Sequence, residues 1–146
     1  MRHHQESLHL ATPGRGLTDI TDEVEAIVQR ADIECGLATV FCRHTSASLV
    51  IAENAAPSAA RDLLRWLERL APDGDPRYEH SDEGPDDMPA HLRTALLRSS
   101  ESIPVRARQL ALGTWQGIFL AEHRTRPHRR EIIVHVAGLI PNEMEP

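Results

Sequence analysis

Two histidines and five acids crowd the stretch from Tyr78 to Leu92, which reads YEHSDEGPDDMPAHL. His80 and His91 stand near its ends, with Glu79, Asp82, Glu83, Asp86 and Asp87 between or beside them. A stretch this charged does not form core, because each unpaired buried carboxylate is strongly disfavoured. Imidazole nitrogens and carboxylate oxygens in one short loop are the donors a divalent cation takes. A solvated acidic loop with two incidental histidines has the same composition, and spacing alone leaves both readings open.

A second polar stretch, His44-Thr45-Ser46-Ala47-Ser48, interrupts two apolar runs, Leu37–Arg43 and Leu49–Ala52. Hydroxyls and backbone N–H groups in a short turn can cradle an anion, or they can satisfy their own backbone as a serine-threonine turn. Asp62 sits at the edge of an apolar helical stripe, either as a surface charge or as a partner of a site. Glu122, His123 and His135 each end or interrupt an apolar row of a predicted strand. A satisfied sheet histidine is the simpler expectation for His135.

These residues must be positioned by the elements around them. Glu6 to Thr12 alternates weakly and reads as a first strand, broken by Pro13, Gly14 and Gly16. Val24, Ile27, Val28 and Ala31 recur at helical spacing after Thr18 or Thr21, either of which can cap the helix, with Gly36 as its stop. Leu37–Arg43 and Leu49–Ala52 read as buried strands. Pro57 opens a second helix, striped by Ala60, Leu63, Leu64, Leu67 and Leu70 and stopped by Pro72. A third begins near Pro89, with Asp86 or Asp87 as its cap and His91 in its first turn, and closes at Ser99–Ser100. Ile103–Val105 is a short strand. Gln116–Arg124 and Arg130–Ala137 read as a hairpin across Thr125–Arg129. Runs of adjacent strands with few helices predict a single α+β domain built on a large antiparallel sheet.

The chain has 146 residues and a net charge of −6. That is the size of one domain, and the acidic balance argues against a general nucleic-acid binder. All 16 basic residues other than histidine are arginine, so lysine Schiff-base and P-loop lysine chemistry are excluded. Cys35 and Cys42 read as small buried apolar residues. No apolar leader and no membrane-length run occurs, so the expectation is a cytoplasmic protein with no membrane and no nucleic-acid partner.

Four motifs together resemble the YjbQ family, often labelled secondary thiamine-phosphate synthase. They are HTSASL (His44–Leu49), Glu53–Asn54, the acidic motif around His80 and His91, and LGTWQGIFLAEH (Leu112–His123). The resemblance implies an α+β sandwich or large antiparallel sheet with flanking helices, assembled as a homotrimer. It implies a polar cluster with His44, His80 and His91 on a divalent metal, zinc or magnesium. Thr45, Ser46, Asn54, Ser99, Ser100, Thr114 and Gln116 would bind a small phosphorylated substrate, and Asp62, Asp82 and Glu122 would serve as catalytic carboxylates. The implied reaction joins hydroxymethylpyrimidine diphosphate to thiazole phosphate with release of diphosphate. Metal-dependent hydrolysis of a phosphate ester and non-catalytic binding of a metal or anion are the alternatives. This chain departs from the family pattern at Ala56, where many members carry an acid. It departs again at Arg98, often glycine, and at Ala107–Arg108, often Lys-Gly.

Overall fold

The computed structural model describes residues 1–143. Among the described residues the strands and α-helices follow in the order β1 (Arg2–Thr12), β2 (Gly16–Asp19), α1 (Thr21–Ala31), β3 (Cys35–Cys42), β4 (Ala47–Glu53), α2 (Pro57–Leu70), α3 (Asp87–Leu96), β5 (Ser100–Arg106), β6 (Gln109–Leu110), β7 (Gln116–Glu122) and β8 (His128–Leu139), with a short 3-10 helix at Pro141–Glu143. They form a five-stranded antiparallel sheet, β1-β8-β3-β5-β6, and a three-stranded one, β2-β7-β4. The expected α+β class holds.

Alternation along the strands builds the core. Ala38, Val40 and Cys42 of β3 and Ile132, Val134 and Val136 of β8 point inward from the large sheet. Ala47 and Leu49 of β4 and Ile118 and Leu120 of β7 point inward from the small one. Val24, Ile27, Val28 and Ala31, the predicted stripe of α1, pack into the same core. The inner faces of the two sheets and one helix are thus buried together, which is the layer logic of an α+β domain.

The expected β7–β8 hairpin does not form. β7 pairs with β2 and β4, whereas β8 pairs with β1 and β3, so the intervening loop crosses from one sheet to the other. A buried polar clamp marks the crossing. Glu122 is 1% exposed and accepts from Thr12 Oγ1 at 2.7 Å and from Arg130 Nε at 2.8 Å. Burial pushes the Glu122 carboxyl up, but Arg130, Thr12 and the Arg124 N–H outweigh it and hold it below the ordinary range. The burial of β7 fits this crossing, since every residue after Gln116 is buried, unlike a hairpin with one wet face.

Three local readings also change. α1 stops at Ala31 with Asp32 in the left-handed region, φ 53°, and not at Gly36. Gly36 lies in β3, where an added Cβ would stand 2.1 Å from the Ala137 carbonyl oxygen. Neither Thr18 nor Thr21 caps α1 with its side chain, because Thr21 Oγ1 donates to Asp19 at 2.6 Å and accepts from the Ile118 N–H. Cys42 is buried, with its thiol pushed up to about 11 by that burial, but Cys35 is exposed at the outward edge of β3.

Candidate metal centre

α3 starts at Asp87, two residues before the expected Pro89, so His91 is its fifth residue and not in its first turn. Side chains four apart on a helix share a face. Asp87 and His91 therefore stack, and Asp87 Oδ2 lies 3.2 Å from His91 Nε2. The loop before α3 brings His80 to the same oxygen, with Nε2 at 2.8 Å. One ligand atom from each of His80, Asp87 and His91 falls within 4.8 Å of the other two.

Asp87 and His91 are held from behind. His91 Nδ1 lies 2.9 Å from the Thr45 carbonyl oxygen, which accepts its N–H and leaves Nε2 as the free lone pair. Asp87 is 1% exposed, and its Oδ1 accepts from Arg124 Nη1 at 2.9 Å. Arg124 also donates from Nε to Asp86 Oδ2 at 3.0 Å and from Nη2 to the Glu83 carbonyl at 2.9 Å. Asp86 takes two more donors from Thr125. Burial raises the Asp86 carboxyl, but the Thr125 and Arg124 donors prevail and hold it far below the usual carboxylate range. This accounts for Asp86, which occupies the N-cap position of α3 without capping it. Its carboxylate ties the loop to the β7–β8 crossing instead.

Two imidazole nitrogens and a buried carboxylate oxygen are a donor set that can hold zinc or another first-row divalent ion. Magnesium prefers an all-oxygen shell and suits the set less well. Asp87 was missed by sequence reasoning. The available signal was its i, i+4 spacing to His91 on one helix.

The other expected site residues are dispersed. His44 accepts the Glu131 N–H on Nε2 at 2.8 Å, so that nitrogen is engaged. Burial, then the nearby Arg130 charge, lowers its pKa. His44, Thr45 and Ser99 line a shallow cavity of about 330 Å3 with Phe41, Cys42 and Arg43, and Thr45 connects it to His91. Ser46 Oγ is engaged by Arg130 at 3.0 Å, and Ser100 opens β5. Asp82 is exposed in the acidic loop. Asp62 is on the outside of α2, 78% exposed, opposite Arg65. Asn54 donates to the Thr114 and Gln116 carbonyls, and Gln116 accepts the Gly113 N–H, so these three fasten the turn before β7. Glu122 is consumed by the clamp described above. The geometry therefore gives Asp62, Glu122, Ser46, Asn54 and Gln116 structural or solvent-exposed surroundings.

Of the departures, Ala56 is exposed before α2, and Arg98 reaches Glu101 at 3.6 Å. Arg108 sits in the β5–β6 turn at φ 62°, facing Asp32 and Glu34.

His123, not assigned a role from sequence, is 1% exposed and 2.8 Å from Ser48 Oγ through Nε2. Burial, then the Arg93 charge, lowers its pKa to about 3. Both partners are closed to solvent, so the pair fastens the residue that follows β7 to β4 and is not placed to meet a substrate.

Comparison with known proteins agrees with this architecture. Residues 6–139 match the family model described as UPF0047 protein YjbQ-like. A UPF0047 protein of Synechocystis sp. is 54% identical over 137 residues, covering 94% of this chain and 93% of the relative. The UPF0047 protein YjbQ of Escherichia coli O157:H7 is 40% identical over 138 residues, 92% of this chain and 98% of the relative. The crystal structure of a YbjQ-like protein of unknown function from Sulfolobus solfataricus superposes with a TM-score of 0.87 at 29% identity, covering 94% of this chain and 98% of that one. A YjbQ/UPF0047 protein from Clostridium acetobutylicum gives 0.78 at 36% identity, with 91% and 98% covered. This chain belongs to the UPF0047 family of YjbQ-like proteins.

Proposed function

We propose that the protein is a metal-dependent enzyme acting on a small phosphorylated molecule at His80, Asp87 and His91. The observation that carries this is the convergence of His80 Nε2 and His91 Nε2 on one oxygen of a buried aspartate whose other oxygen is held by Arg124. A divalent ion there would neutralise phosphate charge and act as a Lewis acid. The protein's own part is positioning. Arg124 fixes the Asp87 carboxylate, the Thr45 carbonyl fixes the His91 tautomer, and the half-exposed His80 leaves one side open to solvent and substrate.

The reaction we assign first is the synthase type that the family resemblance supports. The C–O bond between the hydroxymethylpyrimidine methylene and diphosphate breaks, diphosphate leaves with the electron pair, and the thiazole nitrogen forms the new N–C bond. Such a reaction needs the leaving group neutralised and the two rings held in line. Thr45 and Ser99 border a cavity that adjoins His91 through the Thr45 carbonyl, which suits them to phosphate oxygens. Asp82, exposed in the same loop as His80, is available to orient a substrate group.

Hydrolysis is the second reading, favoured by one observation: the His80 side chain is 50% exposed, so water reaches the triad. The test is incubation of metal-loaded protein with the pyrimidine diphosphate, with and without thiazole phosphate. Product only with acceptor supports the synthase. Diphosphate or phosphate release without acceptor supports the hydrolase. Tight binding without turnover in either tube overturns both and leaves a binding protein.

We also propose that the chain assembles as a homotrimer. α2 is strongly amphipathic, yet Leu67 is its one buried residue, and Trp66 and Leu70 remain exposed. Leu37 and Phe41 are also exposed, on the outer face of the large sheet. Exposed apolar faces of this kind mark contact surfaces. Sedimentation equilibrium measures the assembly, and a monomer at micromolar concentration contradicts it.

A further inference from the structure

We propose that His3 and His135 form a second metal site, a two-histidine clamp for zinc on the outer face of the large sheet. It uses no residue of the triad and stands whether or not the triad takes a metal.

Strand register puts the pair together. β1 and β8 run antiparallel, with His3 opposite Ala137 and Gln5 opposite His135. His3 and His135 are therefore diagonal neighbours on one face, a spacing that long and ring-bearing side chains can span. Val134 and Val136, on either side of His135, are buried in the core. Alternation thus turns His135 outward, to the side of His3 and Gln5. His3 Nδ1 lies 3.3 Å from His135 Nε2.

The donors are arranged as metal ligands are. His135 Nδ1 donates to Gln5 Oε1 at 3.1 Å, which fixes the tautomer and leaves Nε2 as a lone pair. His3 Nδ1–H donates toward that lone pair, and a metal ion takes the place of this proton once His3 carries it on Nε2. His4, one residue along, projects to the opposite face. Its Nε2 lies 2.8 Å from Glu6 Oε1, and Glu6 is paired in turn with Arg30.

Donor type and spacing select the ion. Two imidazoles without a carboxylate suit a first-row transition ion and not magnesium or calcium, which take oxygen. Nitrogens about 2.0–2.1 Å from a tetrahedral zinc stand about 3.3–3.4 Å apart, the separation found here. A square-planar ion would draw them to roughly 2.9 Å. A turn of each ring about χ2, a soft torsion, brings both lone pairs onto one ion while the strands stay in place. Two coordination positions remain open. The ion therefore exchanges readily and is lost on dialysis, whereas three protein ligands retain theirs.

Zinc titration of the tag-free protein, followed through the imidazole-ring NMR signals, tests this. The His3 and His135 signals should move together, in a step weaker than that of His80 and His91. The step should be at least about tenfold tighter than zinc binding by free imidazole, because the second donor is already in place. His3→Ala and His135→Ala should each abolish it on the remaining ring, and His4→Ala should leave it. Gln5→Ala should weaken it roughly tenfold. A His135 response that survives His3→Ala overturns the proposal. So do separate steps for the two rings, or no response up to the zinc concentration at which free imidazole binds. A His3–His135 step without one at His80 and His91 keeps this site and removes the triad reading instead.

Discussion

Asp87 and His91 stand four residues apart on α3, with Asp87 Oδ2 3.2 Å from His91 Nε2. The aspartate is also the hinge between the candidate metal centre and the β7–β8 crossing, because its other oxygen belongs to Arg124. One residue therefore serves a ligand set and a buried ion pair. Asp87→Asn should lose at least roughly a hundredfold in zinc affinity, since a ligand charge is removed, and should also destabilise the fold by about 3 kcal/mol, since Arg124 loses a buried partner. Calorimetric zinc titration and urea unfolding read the two effects separately.

Arg124→Met tests positioning. It touches none of the three ligand nitrogen and oxygen atoms directed at one another, yet it should weaken zinc binding by roughly tenfold to a hundredfold. Hydrogen exchange should accelerate in residues 83–87, which Arg124 ties down through Glu83, Asp86 and Asp87. Unchanged zinc affinity alongside faster exchange would separate loop anchoring from metal binding.

Acid should unfold the protein partly through His123. Its folded pKa is depressed to about 3 by burial, then by Arg93, so the unfolded chain binds the extra proton first as pH falls. Stability from this group is complete above the ordinary histidine range and is lost as pH drops from about 6.5 toward 3, at up to about 1.4 kcal/mol per pH unit. The depressed carboxyls Asp86 and Glu122 extend the loss to lower pH. Urea titrations at pH 7, 5.5 and 4.5 should show a falling midpoint, and His123→Gln should flatten the slope between the first two.

Gly36→Ala probes the strand pairing that replaces the expected helix stop. The new Cβ would stand 2.1 Å from the Ala137 carbonyl, a backbone atom that cannot swing aside. Destabilisation of about 3 kcal/mol or more is expected, measured as a lower unfolding midpoint. A wild-type midpoint would mean that β3 and β8 are not so closely paired.

Much of the fold was legible in the chain because local pattern decided it. The stripe Val24, Ile27, Val28, Ala31 and the apolar runs around β3 and β4 fold as their periods imply. The β7–β8 hairpin was misread because adjacency in sequence says nothing about which sheet a strand joins. That choice depends on Glu122, Thr12 and Arg130, which meet only in three dimensions. The same limit governed the site. His80 and His91 were readable from composition and spacing, and Asp87 could have been found from its helical spacing to His91. The fate of His44, Asn54 and Glu122 was not readable, because their partners Glu131, Thr114 and Thr12 lie far along the chain.

The most direct measurement is zinc content by elemental analysis of the tag-free protein after zinc loading and dialysis, beside the His44→Ala, Asp87→Asn and His91→Ala variants. The absence of a tag matters, because His3 and His4 lie near the N-terminus. A centre built on His80, Asp87 and His91 predicts one ion per chain in the parent and in His44→Ala, and none in folded Asp87→Asn or His91→Ala. Loss of metal from His44→Ala with retention in Asp87→Asn, or no metal in the parent, would contradict it.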